Sequence, residues 1–259
     1  MLHQLKHYLK HRWKSFHLHG IHSPFVFTLN RDCLQKRSHL AVNEEIVRFR
    51  ESVKNHPQLL HIEDHGAGSK RLQEDTRKSS EILKHNCSSL KRAQLLSRLT
   101  HYLNVQRALE LGTSLGIGTH ALAMACQQVT SIEASPEVRD YASARLKAAR
   151  VKNAHLVTGT FQDFLDGTLH QQPSGVYDLV FIDGHHDGAE TLRYFEALQP
   201  FLNEQSVVVI DDIYWSKGMT RAWEQLIHHP KVTASIDTYQ WGILFFRKEQ
   251  RQQAFHIHV

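Results

Sequence analysis

Apolar residues recur at helical spacing in the first third of the chain and gather into short blocks after that. From Leu2 to about Phe16 the residues Leu2, Leu5, Leu9, Trp13 and Phe16 return every three or four positions, opposite a basic, histidine-rich face. This predicts an amphipathic helix whose tryptophan and phenylalanine pack on the domain or on a second subunit. Ser23-Pro24, an N-cap followed by proline at the first helical position, opens a second helix through Leu34. Asn43 before Glu44-Glu45 opens a third. Between about Pro57 and Lys78 the periodicity fails, and His65-Gly66-Ala67-Gly68-Ser69-Lys70 reads as a mobile loop that could act as a lid. The chain is expected to divide here, into a helical cap and loop over 1–78 and a second domain over 79–259.

A helix from about Ser89 to Leu103 then leads into alternating short apolar strands and amphipathic helices. The strands are Ala108 to Leu111, Val129 to Glu133, His155 to Thr158, Leu179 to Asp183 and Val207 to Asp211. Two further apolar segments, Thr233 to Asp237 and Gly242 to Phe246, suit an antiparallel hairpin at the sheet edge. The fold class is therefore α/β: a doubly wound, Rossmann-like sheet of seven strands, the last pair antiparallel, behind an N-terminal helical segment.

Composition narrows this picture a little. Hydrophobic residues at 41% and charged residues at 22% are ordinary for a globular protein. No apolar run approaches the roughly 20 residues needed to span a bilayer. Lys6, Lys10, Arg12 and Lys14 interrupt the N-terminal apolar positions, which is unlike a secretory signal, so a cytoplasmic location is expected. The three cysteines, Cys33, Cys87 and Cys126, are far apart and contain no CxxC pair, so they are expected as free thiols, Cys126 in a helix facing the core. A formal charge of +5 is a weak argument for nucleic-acid binding. The 21 histidines are the odd feature, and most are expected at the surface. His3, His7 and His11 share one helix face, a spacing that could hold a transition metal but in so histidine-rich a chain reads as incidental.

Chemistry enters at the first strand. Glu110-Leu111-Gly112-Thr113-Ser114-Leu115-Gly116-Ile117-Gly118 joins that strand to a helix, its glycines allowing a tight turn and close approach of a ligand to the backbone. The spacing is GxxxGxG and not the dinucleotide GxGxxG. The second strand ends at Glu133, where an acid can accept both ribose hydroxyls of a nucleoside. A structural turn and a helix-start acid are the plainer alternatives.

With these residues in view, the stretch from about Ser88 to Phe246 resembles the class I S-adenosylmethionine-dependent methyltransferases. It is most similar to the catechol and caffeoyl-CoA type O-methyltransferases and the related sugar O-methyltransferases. The resemblance implies that Glu110, Gly112 and Gly116 hold the methionine end of S-adenosylmethionine and Glu133 its ribose, with Thr113 and Ser114 of the same turn also binding the cofactor. It also implies Phe161 and Gln162, in Gly159-Thr160-Phe161-Gln162-Asp163, on the adenine side. Phe161 is larger than the small residue common there.

The fourth strand ends in Asp183-Gly184-His185-His186-Asp187 and the fifth in Asp211-Asp212. In an open parallel sheet both ends reach the same carboxyl edge, where ligands bind. Adjacent acids at a buried strand end repel unless a cation or hydrogen-bond donors compensate, and oxygen ligands suit Mg²⁺ or another hard divalent cation. The resemblance implies that Asp183, Asp211 and Asp212 ligate such a cation, with Asp183 also near S-adenosylmethionine. In the alternative, Asp212 caps the next helix. His186 occupies the place of the family's acceptor base, and its imidazole can take a hydroxyl proton at neutral pH. Asp183 is the second candidate for that task. The implied activity is methyl transfer to a hydroxyl of a small-molecule acceptor, assisted by a divalent cation. A metal-independent N- or C-methyltransferase and a non-catalytic cofactor-binding regulator are the competing readings. A homodimer and peripheral membrane contact through the basic first helix remain open as partners.

Overall fold

Alternating periods in the sequence become alternating elements in the structure. The structure, a computed structural model, describes residues 2–15, 20–36, 40–62, 76–169, 173–248 and 252–259. Helix α1 (Leu2–Lys14) is followed by α2 (Pro24–Leu29), which runs into a π-helical turn over Asn30–Leu34. Next come α3 (Leu40–Lys54), the short strands β1 (Leu59–His61) and β2 (Thr76–Lys78), α4 (Ser79–His85) and α5 (Leu90–Tyr102). The strand and helix alternation then runs through β3 (Arg107–Leu111), α6 (Ile117–Ala123), β4 (Gln128–Glu133), α7 (Pro136–Ala148), β5 (Ala154–Thr158) and α8 (Phe161–Leu165). It continues with β6 (Leu179–Ile182), α9 (Gly188–Leu198), β7 (Val207–Asp211), α10 (Lys217–Leu226), β8 (Ala234–Asp237), β9 (Trp241–Phe245) and β10 (Gln253–His256). Among the described residues no helix is long and apolar enough to cross a membrane.

The chain forms two compact units, one of residues 1–36 with 174–259 and one of residues 37–173. In the unit of 37–173, strands β3, β4 and β5 lie side by side and parallel, in the order β3-β4-β5. Leu109, Leu111, Val129 and Ile132 are wholly buried between the helices, with Leu96 and Leu99 of α5 and Ala121 and Leu122 of α6. Ser89 caps α5 by accepting from the Arg92 amide, which is why the helix begins where the sequence places a serine before its apolar stripe. The aperiodic stretch before it is bracketed by an antiparallel pair, Leu59 facing Lys78 and His61 facing Thr76. The proposed lid at Gly66 to Lys70 lies outside the described residues.

In the unit of 1–36 and 174–259 the order is β6-β7-β9-β8-β10. Strands β6 and β7 are parallel, Leu179 opposite Val207 and Ile182 opposite Ile210. Every residue of both strands is buried, as expected where helices cover both faces of a sheet. Strands β8 and β9 form the expected antiparallel hairpin, Ile236 opposite Ile243. The hairpin is not the edge: β10 pairs parallel to β8 outside it, Phe255 opposite Ile236. Apart from the β1–β2 pair, the described residues thus hold three strands in one unit and five in the other, eight where seven were expected, because Phe255 and Ile257 alternate with polar residues over too short a run to stand out by pattern.

Three further expectations are corrected. Helix α3 begins at Leu40, ahead of the Asn43 signal, and α4 was not foreseen, its seven residues being too few to establish a period. Cys126 lies beyond the end of α6, half-exposed, its thiol directed at the Gln128 carbonyl; Cys33 is the buried cysteine. Most unexpectedly, α1 turns its apolar residues outward: Leu2, Leu5, Leu9 and Trp13 are exposed, whereas His11 is buried.

Candidate active site

The Glu110 to Gly118 stretch is built as a strained turn. Gly112 at φ 116°, Ser114 at φ 47° and Gly116 at φ 82° all lie in the left-handed region, where glycine is at ease and serine is uncommon. A side chain at Gly116 would meet Ala142 and Leu146 at ordinary contact distance, so it is backbone conformation that calls for glycine there. The amides of Gly112 and Thr113 both donate to the Ile132 carbonyl at 3.1 Å, which pins the turn to β4.

Parallel register sets Ser131 beside Glu110. Ser131 Oγ and Thr119 Oγ1 each donate to Glu110 Oε2 at 2.5 Å, and Thr113 Oγ1 lies 2.6 Å from Ser131 Oγ. Glu110 is 1% exposed, and burial pushes its carboxyl up to about 8, so the acid is neutral at pH 7. These hydroxyls tie Glu110 to α6 and β4. Neither Ser131 nor Thr119 was foreseen, because their use depends on register. Glu133 stands at the tip of β4, its two oxygens accepting from the Ser114 amide at 2.9 Å and the Ser135 amide at 3.1 Å. The turn and the acid expected to serve one ligand are thus joined directly.

After β5, Gly159 stands at φ 153°, and an added Cβ would press on Leu169. Thr160 caps α8 by accepting from the Asp163 amide at 3.1 Å. Phe161 is buried, and Gln162 donates to Asp166 Oδ2 at 2.7 Å while its own Oε1 is buried without a partner. A buried acceptor with nothing bound to it suits an exocyclic amine.

At the ends of β6 and β7 the backbone is strained again. His185 at φ 64°, His186 at φ 38° and Asp212 at φ 51° are left-handed non-glycine residues, a conformation that accumulates at functional sites. The paired register of the two strands sets Asp183 and Asp211 one step beyond the Ile182 and Ile210 pair. Asp211 is 3% exposed, and its Oδ1 accepts from the Asp212 amide at 2.8 Å. The cap of α10 is Ser216, not Asp212. Asp187 caps α9 through the Ala189 and Glu190 amides. His185 Nδ1 pairs with the Tyr194 hydroxyl at 2.5 Å, and the two rings stack at 17°. The ring of His186 lies 5.9 Å from that of Trp215, which is half exposed. Tyr194 and Trp215 escaped notice in the sequence because single aromatics on helices and loops read as packing.

The cation fares less well. Among the described residues no three His, Cys, Asp or Glu side chains are grouped so that they could hold a metal ion. One oxygen of Asp211 is already committed to a backbone amide. The carboxylates Asp183, Asp211 and Asp212 do not form a ready ligand set. The same holds for His3, His7 and His11, which are engaged in packing α1.

Comparison with known proteins agrees with the fold. Residues 109–213 match the family model described as a methyltransferase domain. A probable caffeoyl-CoA O-methyltransferase 3 of Dictyostelium discoideum is 23% identical over 176 residues, 66% of either chain, so this chain spans just under two thirds of that relative. A SAH-bound methyltransferase of Podospora anserina superposes with a TM-score of 0.61 at 14% identity, over 88% of this chain and 97% of its own. The O-methyltransferase of Bacillus cereus in complex with SAH gives 0.55 at 17% identity, over 84% and 96%. The matched segment runs from inside β3 to just past β7 and takes in the strained turns at the ends of β3, β6 and β7; over it the chain is similar to a methyltransferase domain, and its fold is that of these two SAH-bound methyltransferases.

Proposed function

We propose that this protein transfers the methyl group of S-adenosylmethionine to a hydroxyl oxygen of a small-molecule acceptor, with His186 as the base. The observation that carries the reading is the strained backbone at His186, beside the exposed face of Trp215. Relatives named as O-methyltransferases support the choice of oxygen. On the cofactor side, Gly112, Thr113, Ser114 and Gly116 form the turn, Glu110 stiffens it, and Glu133 offers a carboxylate to the ribose. Gln162 Oε1 offers the adenine amine an acceptor beside Phe161. S-adenosylmethionine supplies an electrophilic methyl on a sulfonium: the O–CH₃ bond forms as the S–CH₃ bond breaks, and S-adenosylhomocysteine leaves. His186 accepts the hydroxyl proton, and Trp215 offers an apolar face for the acceptor to lie on. Asp183 stands two residues before His185 and is the alternative base. Since Asp183, Asp211 and Asp212 lack the grouping of metal ligands, no step is routed through a cation.

The test is turnover to S-adenosylhomocysteine over a panel of catechols, polyphenols, sugars and lipid head groups, with Mg²⁺ and with chelator. Turnover that survives chelation is expected; its loss on chelation would restore the three aspartates as ligands. His186→Ala should lower the rate at neutral pH by about 10²-fold or more and regain part of it at high pH, where the hydroxyl ionises unaided. Full activity of His186→Ala at neutral pH would remove His186 from the mechanism.

A further inference from the structure

An amphipathic helix on a soluble domain ordinarily turns its apolar stripe to the core and its polar face to water. Helix α1 does the reverse within its own unit. His3 Nε2 pairs with Thr220 Oγ1 at 2.9 Å, His7 stacks on Tyr214 with ring centres 4.7 Å apart, and His11 donates from Nε2 to the Asp237 carbonyl at 2.9 Å. The Tyr239 hydroxyl donates to the Gln4 carbonyl at 3.0 Å. Beneath the helix the Asp237 carboxylate accepts from the Tyr214 hydroxyl at 2.5 Å, with His11 Nε2 at 3.5 Å and His256 Nε2 at 3.6 Å. A histidine face is thus the docking face. Leu2, Leu5, Leu9 and Trp13, at 85, 56, 60 and 85% exposure, form the outer one. At 100° per residue Lys6 and Arg12 flank that stripe, Lys10 and Lys14 follow on one side, and the helix has no Asp or Glu.

We propose that this outer face of α1 docks on the surface of an anionic lipid bilayer. The helix lies in the interfacial plane, its leucines and Trp13 among the acyl boundary and its cations on the head groups. Charge favours lipid over a second copy of the chain: two such helices face to face would set Lys6 and Arg12 against their own kind, whereas anionic head groups neutralise both of these flanking cations. Extent points the same way. Four side chains on one helix fall far short of the roughly 20–30 residues per side of a specific protein interface, whereas leucines and a tryptophan backed by Lys and Arg are the composition of an interfacial helix. Tryptophan at the end of the stripe is the side chain most at home at head-group depth. The inference stands apart from methyl transfer and survives its failure.

The experiment is co-sedimentation of the full chain with phosphatidylcholine vesicles, with and without phosphatidylglycerol, at low and high salt. Binding to the anionic vesicles, weakened by salt and slight on neutral ones, is expected. Leu5→Ser/Leu9→Ser/Trp13→Ser should weaken it at least about tenfold, and Lys6→Glu/Arg12→Glu should abolish the preference for anionic lipid. All five side chains are exposed, so circular dichroism and melting should match the parent chain. No sedimentation with anionic vesicles, or equal sedimentation with neutral ones, would overturn the proposal. So would light scattering that found a dimer which Leu9→Ser/Trp13→Ser dissociated, since a second copy would then be the occupant.

Discussion

Glu110 and His120 are buried titratable groups in one unit, and burial moves them in opposite directions. Glu110 has an ordinary value of 4.5 in the unfolded chain and about 8 in the fold, where two hydroxyls hold it in a dry site. The unfolded chain therefore ionises first. The contribution of Glu110 is full below pH 4.5, declines as pH rises from there, and is lost once pH passes about 8. Glu110→Gln, which still offers an oxygen to Ser131 and Thr119, should flatten this decline and be more stable than the parent at pH 8 by a few kcal/mol, while the two are alike at pH 4.5. Thermal melts across that window decide it, and parallel curves would count against a buried neutral acid. His120, stacked on Phe49 at 4.2 Å, is driven down to about 4 by burial, so its contribution is present above 6.5 and lost as pH falls towards 4. The sequence singles out Glu110 by its place before a glycine turn. It says nothing of a dry carboxyl held by hydroxyls, because those partners sit on β4 and α6 and meet Glu110 only through register.

Close approach of elements is where sequence patterns were least informative. An added Cβ at Gly188, the first residue of α9, would collide with the backbone carbonyl of Gly218 near the start of α10. One at Gly242 of β9 would collide with the ring of Trp223, which is itself buried. Gly188→Ala and Gly242→Ala should each lower stability by roughly 1–3 kcal/mol, since overpacking has no cheap relief against backbone or a buried indole. Gly218→Ala, whose Cβ would meet nothing closer than ordinary contact, should cost less and serves as the comparison in denaturant titrations. Strands β3 to β9 are legible because buried strands, parallel or antiparallel, read as short apolar blocks between helix starts and turns. β10 is not, and neither is the direction in which α1 faces. Periodicity locates an apolar stripe on a helix but does not say which face the rest of the molecule accepts, and here tyrosines, Thr220 and Asp237 accept histidines.

At the scale of the molecule, the first 36 residues share a unit with the last 86, far from them in sequence. Val26, Leu29, Cys33 and Leu34 are wholly or almost wholly buried, Phe25 meets Phe245 edge to face at 5.0 Å, and Gln35 donates to the His258 carbonyl at 2.5 Å. Deleting residues 1–36 should therefore melt the chain at markedly lower temperature or leave it insoluble, and a truncated protein with the parent's melting curve would show that this packing contributes little. Glu133 and the glycine turn could be placed from motifs confined to short stretches, whereas a unit assembled from both ends of the chain leaves no local trace. The arrangement also orders events in time. Thr220 follows His3 by 217 positions, so at about 5–20 residues per second a ribosome delivers the partner of α1 roughly 10–40 s after α1 itself. Throughout that interval the nascent helix has no seat for its histidines, and its leucines and tryptophan are open to whatever chaperone or surface meets the emerging chain first.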